Sequence, residues 1–177
     1  RLLLHEFFHI LSRNQLELRD KLYRIIGFLP CGDVRLPPAL ELRKLTNPDA
    51  VGSRYRVEVQ VDDDLFSVVP VLYSSSEKYD EKKGGEFFRY LVFRLMAVKK
   101  VGGKWVPALE DGEPRLLDPA GVKDFHRKIG KNTGYIIHPE EVLADNFVLL
   151  MMGKQKVPTP RILEEMARLL KAPGSGR

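Results

Sequence analysis

His5-Glu6-Phe7-Phe8-His9 is the stretch that decides how this chain is read. On an α-helix, residues four apart lie on one face, so the imidazoles of His5 and His9 project together and their ring nitrogens can converge on a single ion. Neutral imidazole suits zinc, and the carboxylate of Glu6 stands next to the pair, where it can act on water. Two protein ligands leave zinc under-coordinated. A catalytic site normally has three, with one position kept open, so the motif demands a third ligand elsewhere.

The best candidate lies far downstream, in Tyr135-Ile136-Ile137-His138-Pro139-Glu140-Glu141-Val142-Leu143-Ala144-Asp145-Asn146-Phe147. This run has the features of a helix start. Proline is tolerated in the first turn, acidic residues there complement the helix dipole, and Val142, Leu143, Phe147 and Leu150 supply an apolar stripe. Glu141 and Asp145 are one turn apart and share a face, so the first can bind metal while the second accepts a hydrogen bond from a ligand histidine. Ala144 lets this helix approach the first one closely.

The pairing of His5-Glu6-Phe7-Phe8-His9 with the distant Glu141-Val142-Leu143-Ala144-Asp145 resembles the gluzincin branch of the zincin metallopeptidases, whose pattern is HExxH followed by an ExxAD or ExxSD helix. The resemblance covers only those ten positions. It implies that His5, His9 and Glu141 bind Zn2+, that Glu6 is the general base and that Asp145 orients a ligand histidine. The long interval from His9 to Glu141 departs from the family. Glu140 is a competing carboxylate, and Glu141 is preferred because only it has Ala144-Asp145 in register.

The chemistry expected of such a site is amide hydrolysis. Zinc lowers the pKa of water towards about 7, Glu6 accepts the proton, and a donor beside the metal is needed for the oxyanion. Tyr135 and His138, just ahead of the glutamate helix, are the local candidates for that donor. His126 is the remaining histidine, and residues of this kind are more often structural than catalytic.

Composition bounds the alternatives. A chain of 177 residues, 44% hydrophobic and 30% charged, can bury an adequate core and is neither generally disordered nor suited to membrane insertion. The single Cys31 excludes an internal disulfide framework and offers no structural metal site. The net charge of +5 is largely C-terminal, from Lys154, Lys156, Arg161, Arg168, Lys171 and Arg177. These cations are not interleaved with aromatic residues, so the composition argues against a nucleic-acid partner.

Along the chain, the first helix is expected to run to near Ile26, with Gly27 stopping it. Phe28 to Asn47, with Pro30, Gly32, Pro37 and Pro38, reads as a loop holding one short helix, and Thr46-Asn47-Pro48-Asp49-Ala50 as a turn. From Arg54 the period becomes two: Tyr55, Val57, Val59 and Val61 alternate with polar residues, the mark of a strand with one buried face. Leu65 to Tyr73 is a second strand, in which Pro70 argues for an edge or a bulge. Phe87 to Val98 is a third, turning at Val101-Gly102-Gly103-Lys104 into Trp105 to Leu109. Asp62-Asp63-Asp64 and Glu77 to Gly85 read as exposed connections. Thr159 and Pro160 open a last helix whose stripe is Ile162, Leu163, Met166, Leu169 and Leu170.

The sequence therefore predicts a single α+β zincin-like catalytic domain over residues 1–177: a metal-binding helix, a β-rich insertion at 52–118, a glutamate helix, a C-terminal helix and a flexible tail at 172–177. Arg1-Leu2-Leu3-Leu4 runs straight into the metal motif without an N-cap, which suggests that an N-terminal portion is missing. The expected partner is a peptide or protein substrate; compartment and oligomeric state are not legible. The competing expectation is a catalytically silent zincin-like module that binds a protein or glycan through the β-rich insertion.

Overall fold

A computed structural model of the chain describes residues 1–46, 52–78 and 86–171. The turn read at Asn47-Pro48-Asp49-Ala50, most of the connection to Gly85 and the tail at 172–177 fall outside the described residues. The architecture is α+β, and the chain divides into two compact units, one formed by 1–29 with 126–177 and the other by 30–125.

The first unit is helical. It contains α1 (Leu2–Asn14), α2 (Leu16–Ile25), α5 (Pro139–Met151) and α6 (Pro160–Lys171). The short strand β1 (Phe28–Pro30) and the helix α4 (Lys123–Ile129) are the two places where the chain passes between units. α1 packs along α5, and α6 packs on α2 and α5. The α1–α5 seam is aromatic: Phe7 stacks on Phe147 with ring centroids 6.2 Å apart, and Phe8, fully buried, lies 5.5 Å from the same ring. The buried rings of Phe8 and Phe147 each contribute roughly 2–3 kcal/mol of burial energy, which holds the two chemistry-bearing helices in register.

One expectation is corrected here. The N-terminal helix is not continuous to Ile26 but breaks at Gln15, whose φ and ψ of −124° and 71° are not helical. The side-chain Nδ2 of Asn14 donates to the carbonyl of Ile10 at 2.7 Å. Local bonding of that kind lowers helix propensity at Asn. The break redirects the chain, so that α2 turns its buried Leu22, Tyr23 and Ile25 towards the helical core.

The second unit is built on an antiparallel sheet. Its strands β2 (Tyr55–Val61), β3 (Asp64–Ser74), β4 (Leu91–Val101) and β5 (Lys104–Pro107) pair in sequence order, and β8 (Leu116–Leu117) adds to β4. A separate hairpin joins β6 (Leu109–Glu110) to β7 (Glu113–Pro114). Register is fixed by Val57↔Val68, Val69↔Met96 and Val101↔Lys104. Gly102 and Gly103, at φ 55° and 82°, supply the two left-handed residues that a two-residue hairpin of this twist requires. Pro70 lies past Val68, the last residue of β3 in register with β2, so its missing N–H falls where the strand faces β4 alone.

One face of this sheet carries Val69, Val71, Met96 and Val98, covered by Val34, Leu36 and Leu40 from the preceding segment, which includes the short helix α3 (Pro38–Glu41). In the polar row of β2, Gln60 is exposed but Arg56 is covered. Arg56 lies 4.2 Å over the Trp105 ring and donates to Glu58 at 2.8 Å and to Ser67 at 3.0 Å. Phe87 to Tyr90 forms a 3-10 turn rather than the start of β4. Among the described residues, no helix is long and apolar enough to cross a membrane.

Candidate metal centre

The site belongs to the helical unit. Phe8 and its neighbours bury one side of α1, which brings His5 and His9 against the first turn of α5. The two imidazoles meet edge to face, with ring centroids 4.8 Å apart. Glu141 sits opposite both: its Oε2 is 3.1 Å from Nε2 of His5 and its Oε1 is 3.8 Å from Nε2 of His9. One ligand atom from each of His5, His9 and Glu141 lies within 4.8 Å of the others, and this group can hold a metal ion. Ligand atoms about 2.0–2.1 Å from a tetrahedral zinc are roughly 3.3 Å apart, so the widest pair need close by no more than about 1.5 Å. Two nitrogens and a carboxylate also match the donor set that zinc takes in hydrolytic sites.

The other nitrogen of each ring is held by a second carboxylate. Nδ1–H of His9 donates to Glu140 Oε1 at 2.9 Å, which leaves Nε2 as the free lone pair facing Glu141. Nδ1 of His5 is 3.3 Å from Asp145 Oδ1, an ion-pair contact, while its Nε2 is the nitrogen at hydrogen-bond distance from Glu141. Carboxylates in this outer position fix the tautomer and ring angle of a ligand histidine and raise its basicity. Asp145 is itself held by the hydroxyl of Thr133, which also accepts the N–H of Tyr135 at 3.1 Å.

Glu140, which competes with Glu141 in the sequence, thus faces His9 from the other side. It is almost fully buried, and the hydroxyls of Ser12 and Tyr23 donate to it as well as His9. Ser12 carried a faint signal, lying three residues beyond His9 on the same helix. Tyr23 and Thr133 carried none, because nothing local ties their positions to the motif.

The remaining candidates occupy distinct places. Glu6 is exposed on α1. His138 is the N-cap of α5, its Nδ1 accepting the N–H of Glu140 at 3.1 Å. Burial, with the positive Arg19 and then His9 close by, pushes its pKa down to about 4. It is therefore neutral near pH 7, the form that can accept as a cap. Tyr135 is 38% exposed, in the loop that Thr133 ties to Asp145. No protein-family model, curated protein or solved structure matches the chain.

Proposed function

We propose that this chain is a zinc-dependent hydrolase of peptide bonds, gluzincin-like in its site, with His5, His9 and Glu141 as the metal ligands. One observation carries the reading: both histidines turn Nε2 towards Glu141 while each Nδ1 is matched to its own carboxylate, Glu140 or Asp145. A helix pair with incidental polar contacts has no need of that double arrangement. When bound, zinc supplies Lewis acidity, lowering the pKa of water and polarising a substrate carbonyl.

The protein's own groups do the rest. Glu6, exposed beside His5, is the general base: its carboxylate takes a proton from water and returns it to the leaving amine. Glu140 and Asp145 keep the Nδ1 protons in place, so the ligand nitrogens stay deprotonated. Tyr135 and the Nε2–H of His138 are the candidate donors to the oxyanion. A purely structural zinc would favour four protein ligands and has no use for Glu6, whereas the group found here offers three donors.

The test is digestion of a peptide library by full-length protein loaded with zinc, set beside Glu6→Gln. Cleavage that stops on chelation, and that falls at least about a hundredfold in Glu6→Gln while zinc is retained, supports the proposal. A zinc-loaded wild type that cuts nothing, or a Glu6→Gln variant as active as wild type, contradicts it.

A further inference from the structure

The buried carboxylate of Glu140 is held by three donors, and two of them come from outside the metal motif. Its Oε1 receives Nδ1–H of His9 at 2.9 Å and the hydroxyl of Ser12, and its Oε2 receives the hydroxyl of Tyr23. The backbone N–H of the same residue is bound by His138. Glu140 is 2% exposed, Ser12 0% and Tyr23 2%, so water cannot substitute for any of these partners. Three donors converge on one carboxylate, with the Ser12 hydroxyl also 3.2 Å from the carbonyl of His9, and a buried carboxylate requires donors of this kind.

Asp145 is held differently. Its side chain is 41% exposed and is steadied by Thr133. The two histidines are therefore anchored unequally. His9 is tied through Glu140 to α2, while His5 rests on a partly solvated aspartate.

We propose that Tyr23 and Ser12 are positioning residues of the metal centre, acting through Glu140. By fixing both oxygens of that carboxylate they keep its Oε1 aimed at Nδ1 of His9, which holds the His9 ring in the tautomer and angle that present Nε2 beside Glu141. Tyr23 reaches Glu140 from α2, so the packing of a helix that contributes no ligand sets the metal affinity. This inference rests on the metal-binding role given above to His5, His9 and Glu141.

Tyr23→Phe removes the hydroxyl and keeps the ring, so it isolates the effect; Ser12→Ala is the second variant. Zinc affinity of the full-length protein is measured by competition with a chromophoric chelator, and the tautomer of His9 in the zinc-free state by nitrogen-15 correlation spectra of the imidazoles. Tyr23→Phe is expected to bind zinc about tenfold more weakly than wild type, with a mixed or shifted His9 tautomer signature. Ser12→Ala should move both readouts in the same direction. Asp145→Asn serves as a comparison that leaves the His9 signature in place. If Tyr23→Phe and Ser12→Ala fold and bind zinc within twofold of wild type with His9 unchanged, the positioning role is overturned, even if both melt at lower temperature. If wild type itself binds no zinc, the inference falls together with the metal-site proposal, so the two failures are distinguishable.

Discussion

Nδ1 of His9 lies 2.9 Å from Oε1 of Glu140, a residue 131 positions away in the chain. The neighbouring Glu141 faces Nε2 of the same ring at 3.8 Å. Two consecutive glutamates in the first turn of one helix thus address opposite sides of one imidazole, one as a hydrogen-bond acceptor and the other as a candidate ligand. Substitutions at the two positions should therefore separate metal binding from stability.

Glu141→Ala is expected to lose zinc by more than a hundredfold in affinity, with a small effect on folding. Glu140→Ala removes the acceptor of the buried His9 and Tyr23 donors, Ser12 keeping the carbonyl of His9, and should cost about 2–4 kcal/mol of stability. Its loss of zinc should be smaller than that of Glu141→Ala. Chelator competition and urea unfolding of both variants check this, and the reverse ranking for metal would make Glu140 the ligand.

His138 gives the protein a specific acid sensitivity. The unfolded chain takes up a proton at this side chain near pH 6.5, whereas the folded protein resists until about pH 4. The folded state thus binds fewer protons in that window. The contribution is whole above pH 6.5 and is lost as pH falls through about 4, on the order of 3 kcal/mol in all. His138→Asn keeps a side chain that can cap the helix and removes the titration. The metal-free variant should show a correspondingly flatter stability profile between pH 6.5 and 4, and parallel profiles would contradict the assignment.

Gly130, which follows α4, adopts φ +77°. A Cβ there would lie 2.6 Å from Cδ1 of Ile162 and 3.1 Å from Cβ of Thr159. Gly130→Ala combines left-handed backbone strain with a displaced buried isoleucine and should cost about 1–3 kcal/mol by urea unfolding. Zinc affinity should not change, because neither neighbour touches the site.

Cys31 should be slow to react. Burial pushes its thiol up to about 11; Arg56 opposes the shift and Asp33 adds to it. At pH 8 the thiolate fraction is roughly a hundredfold below that of a thiol at the ordinary value of 9.0. Alkylation by iodoacetamide should lag a free cysteine by about that factor and keep accelerating beyond pH 10. A rate that levels off near pH 9 would contradict the shift.

Much of this arrangement was legible in local chemistry. α5 and α6 announce themselves through proline in the first turn and apolar spacing, and Gly102-Gly103 through the one hairpin geometry that suits two glycines. That His5, His9 and Glu141 come together was expected from the helical spacing of the two histidines and from the resemblance of the downstream run to a gluzincin glutamate helix. What escaped is non-local or depends on small energy differences. The break at Gln15 turns on a few φ and ψ values in a stretch whose apolar spacing continues through it, and Arg56 reads as a solvent-facing residue until Trp105 arrives from another strand. Glu140 reads as ordinary first-turn acidity, because its three donors come from two different helices.

The central claim is that His5, His9 and Glu141 together hold one ion. Elemental analysis of full-length protein, incubated with zinc and dialysed exhaustively, tests it most directly when wild type is set beside the His9→Ala, Glu141→Ala double variant. The account predicts one zinc per chain in wild type and none in a double variant that remains folded. A wild type without zinc, or a double variant that retains it in equal amount, would contradict the account.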